Sequence, residues 1–178
     1  MSIDPRAFRQ TVGQYVTGVT VIAMEVEGSI RALTANSFTS LSLNPPLILF
    51  CLGKGTKAGQ VIHQVREFSV NILSQDQQAL STYFAGAWKG EDPPPFSFTR
   101  AEGAPRLDGS VAVLGCTVDA VHEGGDHWIV VGQVASLHHS ELPRSPLVFF
   151  GGRYAALSTG SPRPEEPGLM IAWTEPGQ

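Results

Sequence analysis

Short β-branched and apolar runs, each closed by turn residues, dominate the 178-residue chain. Residues 19–26 form such a run, Glu27-Gly28 is a turn pair, and 29–33 form a second run, which predicts a hairpin. Residues 47–52 carry the strongest strand pattern, and 68–73, 111–122, 127–137 and 147–150 carry others. Glu123-Gly124-Gly125-Asp126 turns the chain between the two longest runs. Helical patterns are fewer. Asp4 and Pro5 read as an N-cap and first helical residue, and Phe8, Val12, Tyr15 and Val16 recur at helical spacing up to Gly18. Thr56 caps a second predicted helix to about residue 65. Ser74 and Gln77 form a capping box that opens a third, to about Phe84. Residues 86–95 read as a loop ending in three prolines, with a short apolar run at 96–98.

Seven or eight strands with three short helices are too helix-poor for a βαβ series. The tight hairpins argue instead for a mainly β fold, an antiparallel barrel decorated by helices. No internal repeat or second domain is visible. Residues 1–157 are therefore expected to form one domain, and the Pro- and Gly-rich residues 158–178 an arm or tail.

A hydrophobic content of 42% with 16% charged residues suits one globular core. A net charge of −4 without a basic run disfavours nucleic acid and anionic membrane as partners. No apolar run reaches membrane-span length and the N-terminus lacks a signal-type apolar region, so a cytoplasmic location is expected. Cys51 and Cys116 lie in apolar runs and read as buried thiols. No Cys or His pair has metal-ligand spacing; His63, His122, His138 and His139 read as surface residues. Neither a Ser/His/Asp order nor a G-x-G-x-x-G after a strand is present, which disfavours hydrolysis and a separate Rossmann module.

Four segments carry candidate chemistry. In the segment Thr34, Ala35, Asn36, Ser37, Phe38, Thr39 and Ser40, five of the seven side chains offer a neutral donor or acceptor, which suits a ring with C=O and N–H edges. The same residues also suit an ordinary turn. Cys51, Leu52, Gly53, Lys54, Gly55, Thr56 and Lys57 read as a strand, a glycine break and a helix start with two lysines. That arrangement favours a phosphate, although the spacing is not that of a P-loop. His127 opens a strand directly after a turn, at a barrel rim, where it can hydrogen-bond a substrate amide. Gly151, Gly152, Arg153 and Tyr154 combine close backbone approach, a planar fork and a stacking face.

Together and in this order, the stretches GVTVIAM, LTANSFTSLSLNPPLILFCL, EFSVNIL, GSVAVLGCTV, GDHWIVVGQV and PLVFFGGRY resemble the flavin reductase-like proteins with the FMN-binding split-barrel fold. The resemblance covers roughly Phe8 to Tyr154. It implies a Greek-key split β-barrel and a homodimer with FMN or FAD held near the subunit interface. Thr34 to Ser40, with Cys51 and Leu52, would line the ring and ribityl chain, and Lys54, Thr56 and Lys57 the phosphate end. His127 would face the nicotinamide, and Arg153 and Tyr154 match the closing motif. The implied activity is NAD(P)H-dependent flavin reduction serving a partner flavin-dependent monooxygenase, with hydride passing from NADH or NADPH to flavin N5. The alternative is a barrel that keeps its flavin as a sensor, carrier or store without turnover.

Overall fold

The structure, a computed structural model, describes residues 3–100 and 103–157. Its elements are α1 (Pro5–Val12), β1 (Thr17–Gly18), β2 (Thr20–Val26), β3 (Ser29–Ala35), β4 (Thr39–Leu43), β5 (Pro46–Gly53), β6 (Glu67–Ile72), α2 (Gln78–Phe84), β7 (Phe98–Arg100), β8 (Pro105–Leu107), β9 (Ala112–Gly124), β10 (His127–His139), β11 (Val148–Phe150) and β12 (Arg153–Ala155). Seven strands form one antiparallel sheet in the order β3-β2-β6-β9-β10-β5-β4. β3 and β4 are the two edges of that order, yet only residues 36–38 join them. The four peptide steps from Ala35 to Thr39 span at most roughly 14 Å. The Ala35 end of β3 and the Thr39 end of β4 therefore lie close together, so the sheet curls round into a split barrel whose β3 and β4 edges are not hydrogen-bonded to each other. Ser37 stitches this seam: its hydroxyl accepts from the Cys51 N–H at 3.0 Å and donates to the Cys51 carbonyl at 3.2 Å.

The near-continuous apolar run in β2 is buried on both faces. Ile22 and Met24 point into the barrel with Phe50, Leu52, Phe68 and Val130. Val19 and Val21 join a second cluster outside it, with Leu73, Leu80, Leu107 and Leu147. Inside the barrel the Phe68 ring meets Phe50 edge-on at 5.3 Å. It passes Gly132, where the β9–β10 register slips, and a Cβ at residue 132 would run into it. Asn71, fully buried, donates to Val21 and Ser69 and accepts from the Leu107 N–H. Ser69 in turn donates to the Pro105 carbonyl, so these two residues hold the β7–β8 ribbon against the sheet.

Several elements differ from the sequence-based expectation. The first helix ends at Val12, because Gly13 caps it; Tyr15 and Val16 leave the helix, and Thr17–Gly18 pairs with β11. The helix predicted over 56–65 is absent. Residues 56–61 are turns, followed by a 3₁₀ turn at Ile62–Gln64. The Thr56 hydroxyl donates to the Gly53 carbonyl at 2.8 Å and accepts from the Gly59 N–H at 3.0 Å, which closes a local turn rather than starting a helix. The third helix begins as a 3₁₀ turn, Gln75–Gln77, and Gln77 returns its side chain to the Ser74 N–H at 3.1 Å. The polar stretch 39–43 is a strand, since the tight turn after Leu43 folds it back onto β5 as a hairpin partner. The division at residue 158 lies outside the described residues.

Two stability predictions follow from buried polar groups. Thr20, 3% exposed, donates to the Ala35 carbonyl at 2.7 Å. Thr20→Val leaves that acceptor without its hydroxyl, and denaturant unfolding should show a loss of about 1–2 kcal/mol. Burial pushes the Cys116 thiol from 9.0 up to about 12. Between those pH values the unfolded chain releases the proton and the folded chain keeps it, so stability falls as pH rises from 9 towards 12. Cys116→Ala should flatten that part of the stability–pH curve; an unchanged slope would show that this thiol is not its source.

Candidate functional site

The seam that closes the barrel also presents the neutral segment found in the sequence. A groove of about 570 Å³ runs along it, lined by Tyr15, Val16, Thr17, Asn36, Ser37, Phe38 and Thr39 among others. Every lining side chain is uncharged. Asn36 forms the partition to a smaller hollow of about 180 Å³ that holds Thr34, Ser81 and Tyr154. Its amide donates to the Thr17 hydroxyl at 3.3 Å. Thr34 donates to the Ser81 carbonyl at 2.7 Å, and the Tyr154 hydroxyl lies 2.9 Å from the Ser81 hydroxyl. β3, α2 and β12 are thus tied together behind Asn36.

A second group gathers where β5 ends beside the start of β10. His127 stands opposite Gly53 in register. Its Nδ1 lies 2.7 Å from the Asp126 carboxylate, and the ring is 46% exposed, so Nε2 is available to a ligand. The hydrogen bond and charge of His127 hold the Asp126 carboxyl below its ordinary value of 3.8. The acceptor on Nδ1 therefore stays ionised at neutral pH, fixing the ring orientation. The Lys54 N–H donates to the Asp126 carbonyl at 3.0 Å. Its ammonium lies 3.7 Å from Glu123 and 4.5 Å from the centre of the Trp128 ring. Trp128 donates to the Gly59 carbonyl at 3.1 Å, which clamps the 53–59 turn onto β10. The two groups are joined by β5 itself. Ser37 grips Cys51, and His127 flanks Gly53 two residues on, roughly 7 Å along the strand.

The structure therefore brings Thr34, Asn36, Ser37, Thr39 and Tyr154 to the seam grooves, and Lys54, Thr56 and His127 to the strand end. Ala35 contributes backbone, its side chain being buried. Other expected residues stand differently. Leu52 is fully buried, so its side chain belongs to the barrel core rather than to a ligand wall. Cys51 is half-buried, unlike Cys116. Ser40 is exposed on β4 and Arg153 is exposed on β12, outside the groove linings. Lys57 is exposed on the turn. Phe38 lines the groove within the expected segment, whereas Tyr15, Val16 and Thr17, and Ser81 behind them, escaped the sequence reading. A helix stop at Gly13 was the available signal for the first three. Ser81 carried none, being one hydroxyl within a helix. Among the described residues no group of His, Cys, Asp and Glu can hold a metal, and no helix is long and apolar enough to cross a membrane.

Comparison with known proteins bears directly on this geometry. Residues 12–158 match the family described as flavin reductase like domain. The reductase subunit HsaB of a flavin-dependent monooxygenase from Rhodococcus jostii is 39% identical over 160 residues, covering 88% of this chain and 80% of that protein. An NADH-dependent flavin reductase from a Rhodococcus species is 36% identical over 158 residues, covering 87% and 88%. Among solved structures, the flavin reductase PheA2 in its native state superposes with a TM-score of 0.82 at 40% identity, covering 88% of this chain and 99% of that one. The uncharged groove, the rim histidine and the rolled antiparallel sheet are thus those of a chain that belongs to the flavin reductase-like family.

Proposed function

We propose that this chain is a flavin reductase that takes hydride from NADH or NADPH and supplies reduced flavin to a flavin-dependent monooxygenase. The observation that carries the reading is the uncharged groove at the barrel seam with an oriented histidine at the end of the same strand. A groove of about 570 Å³ falls within the range of small-molecule sites. Its apolar floor and amide and hydroxyl edges fit a planar ring with alternating C=O and N–H groups. When bound there, flavin supplies the hydride acceptor, atom N5. Asn36 and Thr39 would orient the ring edge, and Lys54, Thr56 and Lys57 would hold the phosphate end. His127, oriented by Asp126, would hydrogen-bond the carboxamide of the nicotinamide and align it for transfer. No side chain need move a proton in this step.

A homodimer completes the reading. α1 buries none of its residues, although Phe8 and Val12 lie on it and are more than half exposed. Tyr15, which borders the groove, is 78% exposed, and Leu43 on the β4 edge is 63% exposed. A second copy would cover these apolar positions and wall the groove. The two unpaired thiols are consistent with a cytoplasmic setting.

Steady-state assays with FMN or FAD and NADH or NADPH test the proposal. At least one of the four combinations should oxidise the nicotinamide continuously in air. Bound flavin without turnover in any combination would establish the non-catalytic alternative. Sedimentation of the purified chain should give twice the mass of one chain.

A further inference from the structure

A third hollow, of about 790 Å³, lies on the outer face of β3, away from the site described above. It is an aromatic trough lined by Ile30, Ala32, Tyr83, Phe84, Phe96 and Phe98, with Arg100 at its rim. Its rings form one chain of close contacts: Tyr83 to Phe84 at 5.1 Å, Phe84 to Phe96 at 5.1 Å, and Phe96 to Phe98 at 5.8 Å. Despite this packing the trough is open, with Phe96 41% and Ile30 38% exposed. The seam groove and the His127 cluster use none of these side chains.

Where the chain goes next points to an occupant. β12 is pinned to α2 by Tyr154, whose hydroxyl lies 2.9 Å from Ser81 and 3.4 Å from Thr82. The next two residues of α2, Tyr83 and Phe84, are the trough wall. Three residues after Tyr154, Leu157 is 55% exposed, and 21 residues follow it. Those 21 are rich in Pro, Gly and charge, apart from one apolar run at 169–173, Leu-Met-Ile-Ala-Trp. The intervening residues 158–168 can reach roughly 36 Å when extended, whereas all seven residues of α2 span roughly 10 Å. A tether of that length keeps the apolar run at high effective concentration beside the trough. The run itself is uncharged and apolar, as the trough is, while Arg100 at the rim is held by Glu25 at 2.6 Å.

We propose that this trough is the docking site for residues 169–173 of the same chain, with Trp173 joining its aromatic chain. The full chain carrying Ile30→Cys and Ile171→Cys, oxidised and read by non-reducing electrophoresis and peptide mass spectrometry, should form a 30–171 disulfide within single chains. A link formed only between two copies, a link from position 171 to Cys51, or no link overturns the proposal. In a second measurement, Ile171→Asp with Trp173→Asp should speed amide hydrogen exchange of residues 83–86 and 96–98 about tenfold while flavin binding stays intact. Unchanged exchange in that variant overturns it equally, even if the variant folds normally.

Discussion

Gly59→Ala should lower the stability of this protein by about 2–3 kcal/mol and weaken flavin binding about tenfold or more. A Cβ at residue 59 would overlap the Gly53 carbonyl oxygen and come within 3.2 Å of the Lys54 Cα. Both obstacles are backbone, so no side chain can swing aside. The turn has to open, and opening it strains two contacts at once. The Gly59 N–H loses its approach to the Thr56 hydroxyl, now 3.0 Å, and the Gly59 carbonyl its 3.1 Å bond from Trp128. Lys54 and Thr56 then move away from the end of β5, where a phosphate would be held. Denaturant unfolding gives the first number and flavin titration the second. If stability drops and affinity does not, the turn is a scaffold and the phosphate is held elsewhere. If both stay near wild type, the close approach of Gly59 to Gly53 is not needed for either.

His127→Ala should lower kcat/KM for the nicotinamide donor about a hundredfold, the scale expected when a reactant is displaced by about an ångström. Flavin affinity should change less than about twofold, because the seam groove holds no part of His127. Equal losses of both would place the histidine on the flavin instead. Asp126→Asn tests the orientation separately. The neutral amide oxygen is a poorer acceptor for the Nδ1 proton than the carboxylate now 2.7 Å away, so an intermediate loss of about tenfold is expected. The sign of the pH dependence follows from the same bond. His127 lowers the Asp126 pKa, so the carboxylate stays ionised above the ordinary value of 3.8 and is lost only as pH falls below it. The KM for the donor should therefore hold steady down to about pH 5 as far as this carboxylate governs it.

Much of the barrel was legible because its signals are local. The two-residue turn at Glu27-Gly28 and the turn before His127 sit between runs whose side chains alternate or are buried on both faces, and these produced β2, β3, β9 and β10. The helix misread at 56–65 shows the limit. Thr56 supplies real capping chemistry, but the decision lies with Gly59, which packs on a carbonyl six residues earlier. The strand at Thr39–Leu43 was hidden for the opposite reason. Its sequence is mostly polar, and its strand character comes from pairing with β5 in a hairpin. The site followed the same division. Asn36, Lys54 and His127 could be nominated by residue type. That Leu52 is core, that Ser37 spends its hydroxyl on Cys51, and that Tyr15 and Val16 border the groove are facts of closure.

The three residues that bridge β3 and β4 also set how such a site can diversify. One residue added at 36–38 would leave the β4–β5 pairing in place, but it would carry Ser37 away from Cys51 and change which side chains line the groove. Lineages built on this barrel can therefore change ligand preference there by exchanging side chains at constant length. Residues 86–95 carry no such constraint, being a mostly exposed loop outside the groove lining. Insertions should collect in that loop, while the 36–38 bridge keeps the same number of residues.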